Sequence, residues 1–137
     1  MRTRLRRLRA GDRDYSWRAT IGSVPGDGAD LHRCVRVRVW GAGKNSCALE
    51  ADLLSKATSV GWTPAATDGS YPASGDIRRL VEHALALGWD PDARGGTFRL
   101  AEEHAPELPG FLITGRVRDP AAPDPTERVL RASERRT

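Results

Sequence analysis

Six residues separate Arg38 from Asn45, and the stretch Gly41-Ala42-Gly43-Lys44-Asn45-Ser46 has the residue types of a phosphate cradle, in which glycine amides and a lysine surround an anion. The spacing breaks that reading. The first glycine of such a motif would fall at Arg38, and Asn45 stands where a hydroxyl should follow the lysine, so a hairpin loop accounts for the stretch. Asp90-Pro91-Asp92-Ala93-Arg94-Gly95-Gly96 begins like a calcium loop, but Arg94 occupies an oxygen-ligand position and no glutamate follows at the required offset. A helix stop followed by a turn explains it. Glu102, Glu103 and His104 read as a charged surface turn, and His83 as a solvated histidine beside Glu82. Cys34 and Cys47 form no zinc-ligand pattern with His32, His83 and His104, and two thiols are too few for a disulfide framework. No catalytic, cofactor-binding or metal-binding residue is assigned on these patterns, and no cofactor is expected.

The arginines are the more informative chemistry. Residues 1 to 44 hold 11 Lys/Arg against 4 Asp, a net of +7, whereas residues 45 to 137 hold 11 against 14, a net of −3. A basic front attracts nucleic acid or an acidic protein partner. It is also what arginine-favouring, GC-rich codon usage produces, since 20 of the 22 basic residues are Arg. Placement on the elements must therefore decide between them.

Tyr15, Trp17, Ala19 and Ile21 alternate with Ser16, Arg18 and Thr20, which predicts a hairpin over residues 3 to 21. Its turn is read as Gly11-Asp12-Arg13-Asp14, setting Leu8 across from Trp17 and Ala10 across from Tyr15. Residues 22 to 31 read as a loop by composition. Cys34 to Trp40 is a strand with three valines on one side. Cys47 to Lys56 has helix-forming residues, yet a strand is predicted, because one antiparallel register satisfies both faces. Val39, Val37 and Val35 then meet Leu49, Ala51 and Leu53, while Arg38 meets Glu50 and Arg36 meets Asp52.

Residues 57 to 73 read as a connection pinned by Trp62 and Tyr71. From Ser74 to Leu87 the spacing of Ile77, Leu80, Val81, Ala84, Leu85 and Leu87 predicts an amphipathic helix, capped by Ser74 and ended by Gly88 and Pro91. Thr97 to Leu100 reads as a short strand, residues 101 to 108 as a helical turn, and Phe111 to Thr114 as a strand or buried turn. The fold class expected is α+β in one domain over residues 1–118. An antiparallel four-stranded meander carries one main helix on one face, with one or two short strands after the helix. Residues 119–137 are expected to be a flexible Pro-rich and charged tail that buries nothing, with Thr126 able to cap a transient helix.

In these registers Arg7, Arg9, Arg18, Arg36, Arg38 and Trp40 emerge on the face away from the valines. That face is expected to be an open arginine-rich surface with an exposed indole, able to dock an acidic protein or to hold a nucleic-acid strand. No segment reaches the roughly 18 apolar residues of a membrane span, and the front end has no signal-peptide pattern, so a cytoplasmic protein without a membrane partner is expected.

Tyr15-Ser16-Trp17-Arg18, the Arg/Val strand ending in Trp40, Gly88-Trp89-Asp90-Pro91 and Gly95-Gly96-Thr97-Phe98 together resemble a loose group of small proteins of GC-rich bacteria that have no assigned activity. The resemblance spans residues 5 to 115 or so. It implies the order of elements and no functional residue. The favoured function is a non-catalytic, partner-binding protein of accessory or immunity type. The alternative is a nucleic-acid-binding module using the Arg/Trp sheet face, and the third reading is an enzyme whose site is assembled in space, for which a polar pocket of several hundred Å³ would speak.

Overall fold

Alternation of β-branched and charged residues makes Leu31–Trp40 the middle of the molecule, since a strand of that pattern must bury one face and leave the other polar. The computed structural model describes residues 5–25, 31–55, 71–104, 106, 108–115, 117, 121, 122, 128 and 129. Its strands are β1 (Arg6–Ala10), β2 (Arg13–Pro25), β3 (Leu31–Trp40), β4 (Ala48–Ser55), β5 (Thr97–Arg99) and β6 (Phe111–Ile113), with helix α1 (Ser74–Ala86) between β4 and β5. The protein is a mixed α+β fold built on one six-stranded sheet, in the order β1-β2-β3-β4-β5. β6 pairs antiparallel with the far end of β4, on the same edge that β5 occupies.

The β3–β4 register is the expected one, with Val39↔Leu49, Arg38↔Glu50, Val37↔Ala51, Arg36↔Asp52 and Val35↔Leu53. The four-stranded meander is thus present but is not the whole sheet. Both short strands after the helix join it, and β5 runs parallel to β4. The β1–β2 pairing is shifted by two residues from expectation: Leu8 lies opposite Tyr15, Arg6 opposite Trp17 and Ala10 opposite Arg13. The turn is therefore only Gly11-Asp12, with Gly11 at φ +61° in the region glycine alone enters freely. A two-residue shift leaves each side chain on its predicted face. Strand β2 also continues through Gly22, Ser23 and Val24, which pair with Cys34, Arg33 and His32, so the expected loop is shorter than its composition indicated.

Helix α1 buries Ile77, Leu80, Val81 and Ala84 against Trp17, Ala19, Val35, Val37, Val39, Leu49, Ala51 and Leu53. Leu85 and Leu87, assigned to the apolar stripe, are exposed, because at 100° per residue they lie on the two flanks of the arc that those four residues define. The cap differs as well. Ala73 occupies the N-cap, and Asp76 accepts from its N–H at 2.9 Å, so Ser74 is already inside the helix. At the other end Gly88, at φ +108°, lets Trp89 N–H reach the Ala84 carbonyl at 2.9 Å. The Trp89 ring meets Tyr15 at 5.9 Å, and its Nε1–H donates to the Cys47 carbonyl at 3.0 Å.

Glu102–His104 forms one turn of 3-10 helix. The reading that nothing beyond Asp119 is buried does not hold at Val129. This helical residue is 2% exposed and packs with Val24, Cys34, Leu54 and Leu112 on the sheet face opposite α1. Arg128 beside it donates to the Ile113 carbonyl at 2.6 Å. Of the remaining expectations, those for Trp62 and Thr126 lie outside the described residues.

Candidate basic sheet face and edge cleft

Cross-strand pairing brings the predicted arginines onto one face but divides them into two chemical groups. Rows of the sheet on that face run Arg18–Arg38–Glu50–Arg99 and Thr20–Arg36–Asp52 across β2, β3, β4 and β5. In the inner group each guanidinium is engaged by a carboxylate. Arg36 grips Asp52 with two bonds, Nε at 2.7 Å and a terminal nitrogen at 3.2 Å, while Arg38 donates to Glu50 Oε2 at 3.1 Å. Arg99 Nε donates to the other Glu50 oxygen at 3.3 Å, and Arg36 Nε stands 3.9 Å from it. Glu50 is only 1% exposed, so three cations converge on a buried anion. The hydrogen bond from Arg36 to Asp52, with the nearby Asp52 and Glu50 charges assisting, holds the Arg36 guanidinium above its ordinary pKa against the effect of burial.

The outer group comprises Arg7, Arg9 and Arg18, all exposed. Arg9 forms a loose surface pair with Asp14 at 3.6 Å. Arg7 sits opposite Ser16 and Arg18 opposite Arg38, and neither meets a carboxylate among the described residues. Trp40 is corrected. Expected as an exposed indole, it is 6% exposed, with the Arg18 and Arg38 guanidiniums 5.5 and 5.7 Å from its ring centre. Two cation–π contacts in place of open ring surface leave no free face on which a base could stack. Arg38 Nε is buried without a partner, although its terminal nitrogens reach Glu50 and Thr97.

Sequence reasoning did not reach the cleft at the sheet edge. β5 parts from β4 after Leu100 N–H bonds the Glu50 carbonyl, and β6 joins where Thr114 N–H bonds the Asp52 carbonyl, at 3.0 Å in each case. Between them opens a cleft of about 540 Å³, lined by small residues such as Ala51, Ala101 and Ala122 and by charged ones, Asp52, Arg99 and Glu103 among them. Its size is in the range of small-molecule sites. Its acids are largely committed: Glu50 and Asp52 to arginines, and Glu102 to the Gly115 N–H at 2.6 Å and to Arg128 at 3.4 Å. No histidine or cysteine stands among its described lining residues; its polar side chains are carboxylates, Arg99 and the Thr114 hydroxyl. No group of three or more His, Cys, Asp or Glu able to hold a metal is found among the described residues.

The glycine-lysine loop of residues 41 to 46 is a structural joint, as its sequence implied. Ser46 N–H closes on the Gly43 carbonyl at 3.0 Å, and Cys47 N–H and Gly95 N–H bond the facing Ala93 and Asn45 carbonyls at 2.7 and 2.8 Å. The stretch resembling a calcium loop is its other half. Arg13 ties the two together by donating to the Gly41 carbonyl at 3.0 Å and to both Asp92 oxygens at 2.7 and 2.8 Å. That hydrogen bonding holds the Asp92 carboxyl below its usual pKa and Arg13 above its own.

Both cysteines are free thiols. Burial, with a further push from the Asp52 charge and against Arg36, raises the Cys34 thiol to about 12. Folded protein at pH 8 is therefore expected to take up iodoacetamide at Cys47 and not at Cys34, as peptide mapping would show. Because the unfolded thiol ionises first, Cys34 contributes undiminished stability below its ordinary pKa of 9.0, and that contribution is lost as pH rises toward about 12. Denaturation midpoints measured across that window should fall less steeply in Cys34→Ala.

These features define a class: a small α+β fold with a helix packed on one face of its sheet and the other face laced by arginine–carboxylate pairs that give way, at the β1–β2 end, to exposed arginines of which Arg7 and Arg18 meet no carboxylate among the described residues. No protein-family model matches the chain, and neither a curated protein nor a solved structure matches it. No described helix is long and apolar enough to cross a membrane.

Proposed function

We propose that the protein is a non-catalytic binding module that docks an acidic protein surface on the β1–β2 end of its basic sheet face. The observation that carries the reading is the contrast between the two arginine groups. Arg36, Arg38 and Arg99 are neutralised within the fold, whereas Arg7 and Arg18 stand exposed with no carboxylate among the described residues. Glu50 already answers Arg38, so of the directly opposed pair Arg18 and Arg38 it is Arg18 whose charge an acidic partner would complement. Burial of Trp40 tells against nucleic acid, because phosphate attraction without a stacking surface gives weak, strand-tolerant binding. A reducing, cytoplasmic setting belongs to the same proposal and is supported by the two free thiols.

The test compares a fluorescent glutamate-rich peptide with an oligothymidylate of equal charge at low salt. The peptide is expected to bind the more tightly, and Arg7→Glu with Arg18→Glu to weaken it by at least about tenfold. Tighter binding of the oligothymidylate would transfer the face to the nucleic-acid reading. If neither probe binds, the basic face is no docking site.

A further inference from the structure

We propose that β1 is a strand-addition site, along which an extended acidic segment of the partner pairs as one more strand of the sheet. This rests on the acidic-partner reading above and adds how the partner is held. β1 ends the strand order, so among the described residues one of its edges faces no other strand. The turn tells which backbone groups line that edge. Ala10 and Arg13 flank a two-residue connection in which Gly11 has φ +61° and no other residue there has positive φ, which is a type II′ hairpin. In such a hairpin the flanking pair exchanges both hydrogen bonds, and bonded pairs then alternate outward from the turn. Leu8 and Arg6 therefore bond inward to Tyr15 and Trp17. Arg7 and Arg9 direct their N–H and C=O outward.

One contact confirms this independently. Arg78 of helix α1 reaches across to donate to the Arg9 carbonyl at 3.1 Å, so that oxygen does face the outer edge. Both arginine side chains are exposed, and a guanidinium can leave the carbonyl for an incoming carboxylate. The side chains around the edge select its occupant. Arg7 and Arg9 flank it on the open face, with Arg6 on the helix side and Arg78 at the rim. A second copy of β1 would bring Arg6, Arg7 and Arg9 against the same charges and is repelled. A segment alternating acidic and apolar residues would set its acids beside Arg7 and Arg9 and an apolar side chain beside Leu8, with main-chain bonds supplying affinity and the charges supplying choice.

The probe is a synthetic peptide of alternating glutamate and valine, and the decisive comparison is Arg7→Gln with Arg7→Pro. Both remove the charge, but only proline removes the outward N–H. Proline is tolerated at such an edge position because no bond to β2 is lost. Strand addition predicts at least about tenfold weaker binding by the proline variant than by the glutamine variant, and slowed exchange of the Arg7 and Arg9 amides on binding to unmodified protein. Equal binding by the two variants overturns strand addition and leaves acidic docking on the sheet face standing. If the unmodified protein does not bind the peptide, both fall. Should the proline variant prove unfolded by circular dichroism, the same peptide N-methylated at alternate residues answers instead: its charge is unchanged but it cannot pair. Loss of about tenfold or more is expected, and undiminished binding refutes the proposal.

Discussion

Glu50→Ala is expected to lower the unfolding free energy by about 3 kcal/mol, the scale of breaking a buried ion pair from one side. The buried carboxylate holds Arg38 through one oxygen and Arg99 through the other, with Arg36 close by. Truncation leaves Arg38 and Arg99 without their shared carboxylate, while Arg36 keeps Asp52. It also deprives Arg38 of a partner where its Nε already has none. Solvent relieves part of this cost, because Arg36, Arg38 and Arg99 side chains are partly exposed. The void left beneath them and the loss of the β4–β5 tie add to it. Urea unfolding monitored by tryptophan fluorescence measures the effect. The control is Asp14→Ala, which breaks a pair exposed on both sides and should change stability by no more than about 0.5 kcal/mol. If the two variants lose similar amounts, the row of charges across β2 to β5 is a solvated decoration and not a part of the core.

Gly41→Ala is expected to cost about 2 kcal/mol, the usual range for forcing extra atoms into packed structure. A methyl group there would lie 2.5 Å from Pro91 Cβ, 3.0 Å from Tyr15 Cε1 and 3.3 Å from Arg13 Cδ. Arginine can swing aside, but a proline ring and a tyrosine packed at a tilt against Trp89 cannot yield without moving the loop. The cost is steric, since Gly41 is not among the glycines with positive φ. Gly43 is the opposite case: its φ is +86°, with open space where a Cβ would stand, so Gly43→Ala strains only the backbone. Thermal unfolding of the two variants separates crowding from conformational strain, and an unchanged midpoint in Gly41→Ala would show that the two loops are not packed as firmly as their bonds indicate.

What could be read in advance followed from where two constraints met. The β3–β4 register was decided by valines on one face and opposite charges on the other, and no slipped pairing satisfies both. The β1–β2 hairpin carried only one constraint. Alternation specifies the face of each residue and is blind to a shift of two, so it puts Arg7, Arg9 and Arg18 on the face they occupy yet sets Leu8 opposite Trp17, where the fold has Tyr15. Gly11 before Asp12 was the overlooked signal for a shorter turn. Trp40 was on the expected face too, but its burial depends on two arginines laid over it, which no period encodes. Three-residue strands such as β5 and β6 are too short to display a period, and with them the edge cleft was out of reach. Val129 was masked by the charged and proline-rich residues around it, although a lone valine behind Arg128 is enough to close a small cluster.

The outer edge of β4 is completed by strands that come late in the chain, β5 from beyond the helix and β6 from later still. On the ribosome, where the front of a protein emerges first, β1 to β4 can zip together while that edge is still bare. A nascent chain halted before Thr97 would then carry an apolar strand, Leu49, Leu53 and Leu54 included, with unpaired main-chain groups open to aggregation or to a chaperone. Strands from beyond the helix thus act as the seal on β4, and a polypeptide truncated before Thr97 should be cleared by proteolysis more readily than the intact one.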